Sequence, residues 1–233
     1  MKTSSTLLLF DIDGTLMRTN RIPLKIVQSV VAEAFDSDID WSPKDFAGST
    51  DRKILRTLIT KNNLQVSDIE ATIDKLLDAY LSRLETTLAN EEVVTLLPGV
   101  TNLLQETEDL GFAMGLVTGN VERGARLKLR PPKFNTFFPI GAFGSDAENR
   151  NLLPPIAAER AEKHFSKRFE RQRSWVIGDT PHDVECAKVN GMRCLAVATG
   201  IYDEKALQGA DVILPDLNDT EKIISIFNDY RLL

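Results

Sequence analysis

Short, continuous hydrophobic runs recur along the chain, with longer amphipathic stretches between them. A strand that is covered on both faces of a sheet is apolar throughout, whereas a strand with one exposed face alternates apolar and polar residues. Five runs have the continuous pattern: 7–10, 112–117, 175–177, 194–197 and 212–214. Hydrophobic residues at helical spacing lie between them, at 100–110, 156–165 and 184–189. This alternation predicts a doubly wound α/β fold with a parallel sheet.

Residues 17–97 interrupt the alternation. Hydrophobic residues follow a helical period in three stretches of this segment, and no stretch has a convincing strand pattern: the three stretches are 27–35, 54–59 and 69–84. We therefore expect an all-helical cap domain at 17–97, inserted into a core domain that consists of 1–16 and 98–233.

Composition and charge argue against several classes of protein. The 233 residues carry a formal net charge of −6, which argues against a nucleic-acid partner because such proteins usually present a basic face. No stretch approaches the roughly 18 apolar residues of a membrane span, so we expect a cytoplasmic protein without a membrane partner. Cys186 and Cys194 lack the spacing of a zinc site and are expected to be buried, reduced thiols. Both a monomer and a homodimer remain open.

Polar residues follow three of the predicted strands directly. Ligands of open parallel sheets bind beyond the carboxyl ends of the strands, so these side chains are expected to converge: Asp11, Asp13, Thr118, Asp179 and Asp183. Four carboxylates in one place repel one another unless their pKa values rise or a cation binds. Oxygen ligands without histidine or thiolate favour a hard ion such as Mg²⁺, which commonly binds substrate phosphate as well.

The spacing within 11–16 suits phosphoryl transfer to a carboxylate. Asp11 and Asp13 start on the same side of an extended segment, and Gly14 lets the backbone turn away and bring N–H groups close to a phosphate. One carboxylate can attack phosphorus while the other serves as general acid and then base. Thr118 offers a hydroxyl, and the turn at Gly119 and Asn120 opens a helix whose N-terminus attracts an anion.

These motifs resemble those of the haloacid dehalogenase superfamily, and the likeness covers nearly the whole chain. The first motif matches 11–16, the second 118–120 and the fourth 178–183, and the insert resembles the helical cap of the phosphoglycolate-phosphatase-like branch. The resemblance implies that Asp11 is the nucleophile and a metal ligand, and that Asp13 is the acid/base and a metal ligand through its carbonyl. It further implies that Thr118 and Asn120 hold the phosphoryl group and that Asp179, with Asp183 beside it, completes a Mg²⁺ site.

The third motif departs from the family pattern. It normally supplies a lysine before the helix that precedes the fourth motif, but the matching stretch at 146–155 has none. A cation is still needed to balance Asp11 and the phosphate. Arg150 is our choice, and Lys128, on the helix after Thr118, is the alternative.

The segment 46–52 resembles the substrate-specificity loop of this branch. We expect Thr50 to be the N-cap of the helix that begins near Arg52. Arg52 is a candidate for binding a substrate carboxylate, since its guanidinium can donate two parallel hydrogen bonds to such a group.

Several functions fit these motifs. The leading hypothesis is a phosphomonoesterase for a small phosphorylated metabolite, with phosphoglycolate first and sugar phosphates next. A sugar phosphomutase and a pyrophosphatase share the chemistry, and a catalytically silent phosphate-binding module is the alternative outside enzymes. A dehalogenase is disfavoured because Asp13 is present, and a phosphonate hydrolase because the cap offers no distinctive lysine for an imine.

Overall fold

The hydrophobic runs form the strands of one parallel sheet in the computed structural model, which describes residues 6–42, 46–89 and 93–229. The remaining residues of the predicted ranges, 1–5, 43–45, 90–92 and 230–233, lie outside this description. The elements in chain order are β1 (Leu7–Phe10), β2 (Met17–Arg18), α1 (Ile22–Phe35), α2 (Asp51–Lys61), α3 (Ile69–Leu88), β3 (Thr95–Leu96), α4 (Val100–Asp109), β4 (Ala113–Thr118), α5 (Glu122–Lys128), β5 (Ile140–Phe143), α6 (Leu153–Phe165), β6 (Trp175–Gly178), α7 (Pro181–Val189), β7 (Arg193–Val197), β8 (Val212–Leu214) and α8 (Thr220–Asn228).

Strand β1 lies at the centre of the sheet. The order is β5-β4-β1-β6-β7-β8, and every pair of neighbours is parallel. Leu7 of β1 is in register with Ala113 of β4, and Leu8 with Trp175 of β6. The carboxyl ends of these three strands therefore lie side by side.

Both faces of the sheet are covered, which explains the continuous hydrophobic runs. Leu8 and Phe10 belong to a hydrophobic cluster that includes α4 and α8, whereas Leu7 and Leu9 belong to a second cluster with α6 and α7. All four side chains are fully buried. Since successive residues of a strand point to opposite faces, a sheet covered on both sides requires every position to be apolar.

The helices α1, α2 and α3 form a hydrophobic cluster of their own. Val121 and Leu127, which flank and belong to α5 of the core, join this cluster, so the cap packs onto α5. Thr50 accepts a hydrogen bond from Lys53 N and so is the N-cap of α2 as predicted, and Asp68 caps α3 in the same way. The division at residues 16/17 and 97/98 stays a prediction.

The structure differs from the sequence expectation at short strands. A two-stranded antiparallel ribbon, β2 with β3, lies within 17–97, where no strand was expected, because two residues are too few to show a period. Strand β5 was also not predicted, since Gly141 and Ala142 make its run only weakly hydrophobic.

Two further expectations concern the cysteines and membrane-spanning helices. Cys186 and Cys194 are buried free thiols, as expected. Within the described ranges no helix combines the length and the apolar character that a bilayer crossing requires.

Candidate active site

The residues of the site come from the carboxyl ends of the three central strands. Asp11 follows β1, Thr118 is the last residue of β4, and Asp179 follows β6. Asp183 lies in the first turn of α7, where Thr180 and Asp183 form a capping box. The convergence expected from the sequence thus results from three parallel strands that end at one edge.

Three buried carboxylates form the centre of this edge. One oxygen atom from each of Asp11, Asp179 and Asp183 lies within 4.8 Å of the other two. Asp179 accepts a hydrogen bond from the Thr15 hydroxyl at 3.1 Å, and Asp183 accepts two from Thr180, at 3.0 Å from its N and 2.7 Å from its hydroxyl. The three carboxylates offer only hard oxygen atoms as metal ligands, which is the ligand type that Mg²⁺ prefers.

The electrostatics of the three carboxylates also suit a cation. Burial raises the pKa of Asp11 to about 6, although the charge of Arg150 opposes the shift. Burial, followed by the charges of Asp183 and Asp11, raises the pKa of Asp179 well above its usual range. These shifts mark a place where negative charge is insufficiently compensated by the protein, so the residues present fit a divalent ion.

Arg150 is the cation at this centre. It is 6% exposed, its Nη2 lies 3.2 Å from Asp11 Oδ2, and the same nitrogen forms an ion pair with Asp183. Its Nε is a buried donor without a hydrogen-bond partner among the described residues. Arg150 therefore contacts the predicted nucleophile directly.

Lys128 belongs to a second group of side chains beside the first. Its Nζ donates to Asp13 Oδ2 and to Asn120 Oδ1, both at 2.6 Å. Asn120 Nδ2 in turn donates to Asp13 Oδ2 and to Thr118 Oγ1, both at 2.8 Å. Arg150 and Lys128 thus occupy different positions: the former contacts Asp11 and the latter Asp13.

Gly14 is required by a close approach of the backbone. Its φ is +83°, and a Cβ atom there would lie 2.3 Å from Asp179 Oδ2. Any side chain at this position would clash with Asp179, so the turn after β1 depends on glycine.

The cap covers these residues and encloses a cavity of about 460 Å³. Its lining includes Asp11, Asp13, Gly14, Thr118, Gly119, Asn120, Lys128, Arg150 and Asp179 from the core, and Leu24, Val27, Phe46, Ser49, Asp51, Ile54 and Tyr80 from the cap. A cavity of this size fits a small molecule. Asp51 joins the two parts, because its N donates to Gly119 O and its Oδ2 accepts from Val121 N, both at 2.8 Å.

Arg52 does not lie where the sequence analysis expected it. It is not among the residues that line the cavity, and its guanidinium donates to Asp74 at 2.6 Å and to Glu70 at 2.8 Å. Both partners belong to α3, so Arg52 links two helices on the outer side of the cap. Successive residues of a helix point in directions about 100° apart, so a shift of one residue in where α2 begins decides whether Arg52 faces the cavity or the outside. The sequence of the preceding loop does not fix that starting residue.

Three residues at the site had no role assigned to them from the sequence. Thr15 was part of the first motif but received no role, although its hydroxyl binds Asp179. Asp51 lies in the segment 46–52 but was not singled out there, and Tyr80 was only one position of the helical stretch 69–84. A polar atom on the apolar face of a cap helix is the signal that could have identified Tyr80.

Comparisons with known proteins agree with this geometry. The model of the family "haloacid dehalogenase-like hydrolase" matches residues 8–197. A phosphoglycolate phosphatase of Pseudomonas syringae pv. tomato is 26% identical over 196 residues, which cover 83% of this chain and 70% of the relative. The pyrophosphatase PpaX of Bacillus pumilus is 24% identical over 221 residues, which cover 93% and 94%.

The fold has close structural relatives as well. The crystal structure of a β-phosphoglucomutase from Clostridium difficile matches with a TM-score of 0.76 at 16% identity, and the match covers 98% of this chain and 99% of that one. At this identity the likeness concerns the fold alone. The family match spans the strand-end motifs and the inserted helices, and the chain belongs to the haloacid dehalogenase-like hydrolases.

Proposed function

We propose that this protein is a magnesium-dependent phosphomonoesterase that acts on a small phosphorylated metabolite through an aspartyl-phosphate on Asp11. One observation carries the proposal: Asp11, at the end of the central strand, lies 3.2 Å from Arg150 and within 4.8 Å of two further buried carboxylates. The relatives named above act, by their names, on phosphoglycolate and on pyrophosphate, which supports phosphoryl chemistry.

The side chains of Asp11 and Asp179 and the backbone carbonyl of Asp13 would hold the ion. Both oxygens of Asp183 already accept hydrogen bonds, Oδ1 from Arg150 and Oδ2 from Thr180, so we expect Asp183 to act through a water molecule or in the outer shell. Mg²⁺ supplies positive charge against the phosphoryl oxygens and lowers their repulsion of the nucleophile.

In the first half of the reaction, a carboxylate oxygen of Asp11 attacks phosphorus in line with the leaving oxygen. The bond between phosphorus and the leaving oxygen breaks, and Asp13 gives its proton to that oxygen. Lys128 and Asn120 both bind Oδ2 of Asp13, which leaves Oδ1 as the atom that carries the proton. The hydroxyl of Thr118, whose oxygen accepts from Asn120 Nδ2, lines the cavity and can donate to a phosphoryl oxygen.

In the second half, water hydrolyses the phosphoryl group from Asp11. Asp13, now ionised, accepts the proton of the water molecule as its oxygen attacks phosphorus, and the bond between phosphorus and Asp11 breaks. Inorganic phosphate leaves, and both carboxyl groups return to their starting states. The cap keeps other water molecules away during these steps.

The test is hydrolysis of p-nitrophenyl phosphate by the purified protein. We expect phosphate release that stops on chelation, returns on addition of Mg²⁺, and falls by at least about 1,000-fold in Asp11→Asn, because the amide is a poor nucleophile. The matched control is Asp74→Asn, which removes an exposed cap carboxylate. Unchanged activity in Asp11→Asn would overturn the proposal. A wild-type protein without any hydrolytic activity would favour the alternative of a catalytically silent phosphate-binding module.

Pyrophosphate hydrolysis is the second candidate, because the PpaX relative matches over nearly the full length of both chains. The same assay with pyrophosphate in place of the ester separates the two. A kcat/KM for pyrophosphate that exceeds that of every phosphate monoester in a panel would assign the protein to that reaction.

A further inference from the structure

Two polar atoms on the cap side of the cavity have no hydrogen-bond partner within the described part of the chain. Tyr80 of α3 is 1% exposed and lines the cavity, and no described residue forms a hydrogen bond with its hydroxyl. Asp51 lines the same cavity, and its Oδ2 accepts from Val121 N while its Oδ1 has no donor among the described residues. Asp51 is only half-buried and both residues line the cavity, so a ligand in the cavity can supply the partner that the described residues do not.

The buried cations of the cavity are already paired elsewhere. Lys128 binds Asp13 and Asn120, and Arg150 binds Asp11 and Asp183. The two other basic residues of the lining, Arg18 and Arg21, are exposed. The charge of Lys128 also acts on Asp51, so the carboxylates of Asp51 and Asp13 share this one lysine. A negative group bound beside Tyr80 would add a third negative charge there, which disfavours such a group.

A second electrostatic observation agrees with this reading. The pKa of the Tyr80 hydroxyl is raised, first by burial and then by the negative charges of Asp51 and Asp13. The hydroxyl thus stays protonated and can donate to a neutral acceptor or accept from a hydroxyl donor. Burial raises the pKa of Asp51 to about 6, and above this pH its ionised Oδ1 accepts hydrogen bonds. A substrate hydroxyl group that donates a hydrogen bond to Asp51 and accepts one from Tyr80 therefore satisfies both.

We propose that the leaving group of the substrate is uncharged and hydroxylated, as in a polyol or sugar phosphate, and that Tyr80 and Asp51 bind one of its hydroxyl groups. Phosphoglycolate, whose leaving group carries a carboxylate, is then a poor substrate. This inference rests on the proposed phosphatase activity. Tyr80 and Asp51 select the substrate, whereas the bond-breaking steps at Asp11 and Asp13 stay the same.

Tyr80→Phe tests the hydroxyl directly, since it removes one oxygen atom and keeps the ring in the cap. The measurement is kcat/KM at about pH 8 for glycerol 3-phosphate and for phenyl phosphate, whose leaving group has no additional hydroxyl. We expect the ratio of the two values to fall about fivefold in the variant, the usual effect of one lost hydrogen bond. A general disturbance of the cap would lower both values alike and leave the ratio unchanged, which would overturn the assignment of Tyr80.

Asp51→Asn tests the charge. An asparagine can still accept from Val121 N, so the joint between cap and core is kept. We expect the wild-type protein to prefer glycerol 3-phosphate to phosphoglycolate by at least about tenfold, and the variant to reduce this preference by about tenfold because the repulsion of the second carboxylate is removed.

The outcomes separate this inference from the activity on which it rests. Hydrolysis of phenyl phosphate that depends on Asp11, together with a higher kcat/KM for phosphoglycolate than for glycerol 3-phosphate, would overturn the inference and leave the phosphatase intact. Equal values for the two substrates, or a preference that survives unchanged in Asp51→Asn, would likewise overturn it. Absence of all Asp11-dependent hydrolysis would remove the proposed function itself.

Discussion

The core edge and the cap wall of the same cavity are built in different ways. On the core side, Asp11, Thr118 and Asp179 sit at or directly after the ends of three hydrogen-bonded strands, so the sheet fixes their positions. On the cap side, Asp51 and Tyr80 project from two helices whose placement depends on hydrophobic packing. The sheet thus sets the position of the proposed reacting groups, while the packing of the helices sets the shape of the cavity that they face.

This difference predicts that substitutions at the core edge and in the cap affect different kinetic parameters. Changes at the core edge should lower kcat for every substrate, because they remove interactions made with the common phosphoryl group. Changes in the cap should alter KM or the choice of substrate.

Arg150→Ala should have the largest effect. Its loss removes the only buried cation that contacts Asp11 in the described part of the chain, and we expect kcat to fall about 100-fold. Lys128→Ala should lower kcat about tenfold, because that lysine contacts Asp13 instead.

The control for both is Arg160→Ala, which removes an ion pair with Asp146 at the surface of the core. Thermal unfolding must accompany the assays, since an unpaired buried carboxylate can cost about 3–5 kcal/mol of stability. If neither variant lowers kcat by about tenfold while both remain folded, the assignment of the cation is wrong.

Gly119→Ala tests the contact between the two parts. A Cβ atom at this position would lie 2.2 Å from Ser49 O, so the 46–50 segment of the cap must move outward. We expect kcat/KM to fall about tenfold for all substrates, since the closed cavity no longer fits around the phosphoryl group.

Gly124→Ala is the matched control for this substitution. It adds the same methyl group within α5, where the nearest contact is the flexible end of Leu81 at 3.3 Å. It should also strengthen the helix by roughly 1 kcal/mol. Equal losses in the two variants would mean that the close approach at Gly119 has no special importance.

Arg56→Ala should have the smallest effect. Arg56 Nη2 of α2 lies 2.6 Å from Glu148 Oε1, an ion pair between cap and core at the surface. Exposed pairs contribute little, so we expect KM to rise about threefold with kcat nearly unchanged. Arg83→Ala removes a pair with Glu33 inside the cap and should leave KM as it is. A larger change in kcat than in KM for Arg56→Ala would contradict the division between core and cap.

Much of the core could be predicted because its signals are local. The strand runs 7–10 and 175–177 are hydrophobic without interruption, and a carboxylate follows each within two residues. Membership of one sheet then brings these carboxylates together without further information. Strand β5 escaped prediction because a strand that carries glycine and alanine gains its stability from its neighbours and not from its own composition.

Long side chains were the limit of prediction at the site. Lys128 and Arg150 were both candidates for one position, and the structure brings each to a different carboxylate. Arg52 has the same chemistry as Arg150, yet it turns to acidic residues of α3. A long basic side chain reaches several partners from one backbone position, and only the packed helices decide among them.

The two bonds between Asp51 and the turn that precedes α5 have a consequence for turnover. Opening of the cap would transfer Gly119 O and Val121 N to water, since Asp51 is the partner of both. The turn would keep the hydrogen bond from Gly144 N to Asn120 O at 2.8 Å and the side-chain hydrogen bonds of Asn120 to the core, but its backbone would lose both partners in the cap. Opening of the cap would thus also loosen the turn that is proposed to bind the phosphoryl group, so cap opening and release of phosphate would be coupled.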